Sequence, residues 1–105
     1  MKITNEPFSL LINDPVELNM VVLKSKLIII VSQLIRNEGW TQIVAAQKFG
    51  VSQSRISNLM NGQVSKFSID MLLEMLCKTG FLLDVKFSPH NTESPIQMTV
   101  IKAVV

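Results

Sequence analysis

The sequence is poor in the residues that build covalent or metal-held frameworks. It has one cysteine, Cys77, and one histidine, His90. A single thiol excludes an internal disulfide and a cysteine-based zinc site, and it fits a reducing, cytoplasmic compartment. His90 has no second histidine to share a metal with and no carboxylate pattern around it, so it reads as an exposed loop residue. The four glycines all fall at expected helix ends or turns, which leaves no glycine-rich phosphate loop. No spacing brings together paired carboxylates, Cys–His or Ser–His, so we expect no enzyme, no cofactor and no metal. The longest clean apolar stretch, Leu27 to Val31, is flanked by Lys24, Lys26 and Arg36. On that count a membrane-spanning helix is excluded. The N-terminus also lacks the basic-then-apolar order of a signal peptide. One local absence is more telling. From Gly39 to Ile69 there is no acid at all, while Lys48, Arg55 and Lys66 supply three cations. An acid-free central segment is a weak sign of a polyanionic partner.

The chain has 105 residues, 48% apolar and 17% charged. That composition describes one folded domain with a modest core, for which help from a second chain is unsurprising. Residues 1–13 read as an arm, with the apolar run Phe8 to Ile12 as a short strand. Asp14-Pro15 has the N-cap and first-position pattern of a helix start. The helix from Pro15 to Glu38 is apolar at Met20, Leu23, Leu27, Ile30 and Leu34, and the run Leu27–Val31 is apolar on every face, which implies burial on two sides. Gly39 ends it. Thr41, Ser52 and Ser68 can cap three further helices that stop at Gly50, Gly62 and Gly80. Ile69, Leu72, Leu73 and Leu76 would form the inner face of the last. Phe81, Leu83, Val85 and Phe87 then alternate with Leu82, Asp84 and Lys86, a strand pattern, and Ile96 to Ile101 reads as a second strand. Trp40 reads as a core anchor, Cys77 as a buried inert thiol and the methionines as core filler. An isolated hairpin is marginal in water and its edges invite pairing, so the C-terminal strands are expected to mediate association.

The informative stretch is Gln42 to Gly62, QIVAAQKFGVSQSRISNLMNG. Counted from Gln42, Ala46, Gly50, Ile56 and Leu59 stand at places five, nine, fifteen and eighteen. Two short helices that cross steeply need a small contact residue, Ala46, with Ala45 beside it. The turn needs a residue that tolerates positive φ, Gly50. The second helix needs an inner apolar side, Ile56 and Leu59. Its outer side then carries Gln53, Ser54, Ser57, Asn58 and Asn61. This is a helix-turn-helix pattern. Gln and Asn can offer a donor and an acceptor to adenine, and Ser can pair with several bases. Gln53, Ser54, Ser57 and Asn58 are therefore candidate base readers, with an ordinary solvated helix face as the alternative. Arg55, on the flank, can reach guanine, a phosphate or a surface acid. Thr41, Gln42 and Ser52, at helix starts, suit phosphate. Asn61, Gln63, Ser65 and Lys66 follow the reading helix and can grip backbone on its far side.

The run TQIVAAQKFGVSQSRISNLMNG resembles the helix-turn-helix of the lambda-repressor-like, or XRE, regulators. With Asp14-Pro15, KFSIDMLLEMLCKTG and FLLDVKF, the wider pattern is similar to small XRE-type antitoxins of the Hig kind, over roughly residues 14–87. The resemblance implies a mainly α, lambda-repressor-like domain of four to five helices over residues 14–80, with a short C-terminal β element over 81–105. It implies base reading at Gln53, Ser54 and Asn58 and phosphate contacts at Gln42 and Asn61. It also implies a homodimer that represses its own operon from a double-stranded DNA operator, and a cognate RNA-cleaving protein toxin that it neutralises. Two alternatives stand beside this: a prophage or plasmid repressor without a toxin, and a helix-turn-helix used only for protein interaction.

Overall fold

The structure is a computed structural model, and it describes residues 14–103. The expected arm, 1–13, with its strand at Phe8 to Ile12, lies outside the described residues. Four helices precede a two-stranded sheet: α1 (Pro15–Glu38), α2 (Gln42–Phe49), α3 (Gln53–Met60), a 3-10 turn (Val64–Lys66), α4 (Ile69–Lys78), β1 (Phe81–Phe87) and β2 (Ile96–Lys102).

Local chemistry sets these boundaries. The Asp14 carboxylate accepts from the Val16 N–H at 3.0 Å, ahead of Pro15 in the first turn. Thr41, Ser52 and Ser68 repeat the device, each hydroxyl accepting from the N–H three residues on, at 3.1–3.2 Å. Each such cap stabilises a helix by about 1 kcal/mol. Gly39 ends α1 in the left-handed region, φ 68°, and donates its N–H to the Arg36 carbonyl.

The core lies where the four helices meet. α1 contributes Leu27, Ile28, Val31 and Ile35; α2 Ala45, Ala46 and Phe49; α3 Ile56 and Leu59; α4 Leu72, Met75 and Leu76. Phe67 closes it from the segment between α3 and α4. The buried stripe of α1 is therefore not the one its spacing suggested. Met20, Leu23 and Ile30 are exposed, and Leu27 is the member of that set that is fully buried. An all-round apolar helix carries several stripes at helical spacing, and packing selects among them. By length and composition α1 would also pass for a membrane-spanning helix, contrary to the exclusion from its longest clean run. Its apolarity has another use, since it supplies four residues to the core.

Three further expectations need correction. Cys77 is exposed, because it lies one residue past buried Leu76 and a helix turns by about 100° per residue. Of the described methionines Met75 is core, Met60 and Met71 pack against it half-buried, and Met20 and Met98 are exposed. Trp40 is half-buried at the rim, edge-on to Phe49 with ring centroids 5.8 Å apart.

β1 and β2 form an antiparallel hairpin, with Phe81 opposite Lys102 and Phe87 opposite Ile96. The loop between them is closed by the Ser88 N–H to the Pro95 carbonyl at 2.7 Å. Phe81 joins the hairpin to the helical core. Beyond that root most side chains of both strands stay exposed.

Candidate nucleic-acid interface

α2 and α3 pack through small residues. Ala45 is fully buried and Ala46 nearly so, which lets the helices approach closely. Gly50 makes the turn at φ 66°, and the Val51 N–H closes it onto the Ala46 carbonyl at 3.0 Å. A methyl group on Gly50 would be strained by that φ and would lie 3.2 Å from the Lys78 ammonium.

Ile56 and Leu59 are wholly buried and fix the roll of α3 about its axis. Directly opposite them, within about 50° of one direction, stand Ser54, Ser57, Asn58 and Asn61. Gln53 sits on one flank at the first position, where it projects past the helix start. Gln53, Ser54 and Asn61 are exposed, and Ser57 and Asn58 are half-buried. None of these side chains hydrogen-bonds to protein among the described residues. Their donors and acceptors point to whatever lies outside.

Phosphate candidates surround this face. Thr41 and Gln42 are exposed at the start of α2, and Gln63, Ser65 and Lys66 are exposed after α3. The Thr41 and Ser52 hydroxyl oxygens accept the capping N–H groups, and each hydroxyl proton is left to donate to an anion. The first two N–H groups of α2 and of α3 have no partner inside their helices.

A family model described as a helix-turn-helix domain matches residues 13–88. The chain belongs to this helix-turn-helix family. No curated protein sequence matches it. The family match runs from the cap of α1 to the end of β1 and stops short of β2. A helix-turn-helix domain of this build is the frame of a DNA-binding regulator.

Within this helix-turn-helix, Arg55 keeps the flank position its spacing gives it, and protein groups hold its side chain. It lies on the flank turned toward α4. Its guanidinium donates to the Lys66 carbonyl at 3.0 Å and lies 5.7 Å from the Phe67 ring centroid. It also contacts the Met71 sulfur at 3.7 Å. Arg55 thus ties α3 to the segment that follows it. Phe67 and Met71, which form this seat, were missed at the level of sequence. They lie 12 and 16 residues away, and no local pattern announces a contact at that distance.

The other cations of the acid-free window divide similarly. Lys48 lies 5.9 Å from the Trp40 ring centroid. Lys66 is exposed and has no ion-pair partner among the described residues. Just outside the window, Lys78 pairs with Glu74 at 3.5 Å. The described residues hold no cluster of three or more His, Cys, Asp or Glu side chains that could share a metal.

Proposed function

We propose that the protein is a sequence-specific DNA-binding repressor that acts as a homodimer, with the α3 helices of two copies in successive major grooves. One observation carries this reading. The outer face of a capped, rigidly held α3 is made of Ser, Asn and Gln side chains that hydrogen-bond to nothing among the described residues. Gln53, Ser54, Ser57 and Asn58 read base edges, while Thr41, Gln42, Ser52, Asn61, Gln63, Ser65 and Lys66 hold phosphate and set the register. Repression follows from occlusion of a promoter. The likeness to Hig-type antitoxins supports a finer version, in which the promoter is that of the protein's own operon and an RNA-cleaving toxin is its second partner. The acids Asp14, Glu17, Asp70 and Asp84 all lie outside α2 and α3, which leaves a basic toxin docking sites away from the outer face of α3.

The test is a fluorescence-anisotropy titration of operator and random duplexes against salt. True phosphate contacts give log K falling linearly with log salt. Gln42→Ala should weaken both duplexes by similar factors, because a phosphate contact carries no sequence information. Affinity that ignores salt and sequence alike would leave only the protein-interaction reading. Co-purification of the neighbouring gene's product from an operon-expressing strain separates the antitoxin from a plain repressor.

A further inference from the structure

The largest surface without a role so far is apolar. The register of β1 and β2 puts Leu83, Val85, Phe87, Ile96, Met98 and Val100 on one face. From Leu83 to the loop that face carries no charge. The opposite face mixes Leu82 and Ile101 with Asp84, Thr99, Lys86 and Gln97. Exposure on the apolar face rises from 46% at Leu83 and Val100 to 69% at Phe87 and 72% at Met98. At its root the face turns into a groove of about 210 Å³, walled by Leu23 of α1 and Ile69 and Leu73 of α4.

Monomers rarely leave contiguous apolar patches above a few hundred Å² in water. The sheet face with Leu23 exceeds that size and approaches the share of each partner in a standard protein interface.

We propose that this face is the dimer surface: each hairpin lays its apolar side in the α1–hairpin groove of a second copy, which does the same in return. The inference rests on the homodimer reading above and names its surface. A protruding apolar ridge beside an apolar groove is what a two-fold contact requires, since the same patch must serve on both sides. The ridge itself offers a basic partner no acid; the groove beside it is lined by one, Asp84, together with Thr99. No residue of the face or its groove belongs to α2 or α3, so both reading helices stay open in such a dimer. Half of the ridge comes from β2, which lies beyond the residues matched by the family model.

Sedimentation of the full chain tests this. Wild type should be a dimer at micromolar concentration. Met98→Glu and Val85→Glu should each weaken it by more than about thirtyfold, with far-UV circular dichroism unchanged. Gln97→Glu, on the opposite face, should remain dimeric. A second measurement needs no substitution. On dilution of wild type, amide exchange over 96–102 should speed up while exchange over 53–60 holds. A monomeric wild type, glutamate variants as dimeric as wild type, or exchange indifferent to dilution would overturn the proposal. Salt-dependent affinity for random DNA is followed in parallel. Its absence from a protein that dimerises as described would defeat the DNA-binding reading and leave this one standing.

Discussion

α3 and the β1–β2 hairpin are both left open by the fold, yet their exposed chemistry is opposite. The outer side of α3 is Ser, Asn and Gln, backed by wholly buried Ile56 and Leu59. The hairpin's open face is Val, Phe, Ile and Met, backed by little. A polar face with unspent donors suits a hydrated, hydrogen-bonding partner such as a base edge. An apolar face gains only by leaving water. The comparison also separates two kinds of stability. α3 is fixed by the protein's own core, whereas a two-stranded hairpin is marginal alone and gains order from what covers it.

The sharpest break between the two regions should appear in stability. Ile56→Ala removes a wholly buried side chain and should destabilise the domain by about 2–5 kcal/mol through the cavity it leaves. Val85→Ala, at 63% exposed, should change the stability of the dilute monomer by less than about 0.5 kcal/mol. Urea denaturation of both variants checks this. Equal losses would mean that the hairpin is as much a part of the core as α3.

Recognition gives the next effect. Gln53→Ala and Asn58→Ala delete side chains that hydrogen-bond to nothing among the described residues, so the melting temperature should hold. Each lost base contact should cost about 1–3 kcal/mol on the operator, with random DNA hardly affected. Undiminished operator discrimination in both variants would empty the outer face of its role. Gly50→Ala should act oppositely. It forces a side chain into the left-handed region and toward Lys78, and should destabilise the fold by about 1–2 kcal/mol, read as a lower melting temperature.

How much of this was legible in the sequence follows the range of the interactions. Asp14, Thr41, Ser52 and Ser68 were readable as caps because each bonds within three residues of itself. The helix-turn-helix spacing was readable because Ala46, Gly50, Ile56 and Leu59 meet within one short segment. The roll of α1 was not, since an apolar run offers several equivalent stripes and packing against α3, α4 and the 3-10 turn chooses between them. Cys77 misled because Met75 and Leu76 before it are buried while its own direction is not. The hairpin's two strands were legible from period two. That pattern says which residues share a face, and nothing in it says what covers that face.

The smallest effect concerns two cations of the acid-free window, Arg55 and Lys66. Arg55 spends its guanidinium on the Lys66 carbonyl and the Phe67 ring, so it should contribute to position and not to counterion release. Lys66 stands exposed with no ion pair among the described residues. If it meets a phosphate, each Lys66 displaced counterion steepens the dependence of log K on log salt, by about 0.9 per contact in B-DNA. Lys66→Ala should therefore flatten the slope by roughly one unit per protomer that makes the contact, and weaken operator and random DNA alike. Arg55→Met should leave the slope unchanged. It should instead lower stability by about 1 kcal/mol, from the lost carbonyl bond and ring contact, and blur operator discrimination as α3 loosens. Salt titrations of the two variants on one operator decide between these roles. A slope that falls for Arg55→Met and holds for Lys66→Ala would mean that the guanidinium leaves its seat on Phe67 when DNA arrives.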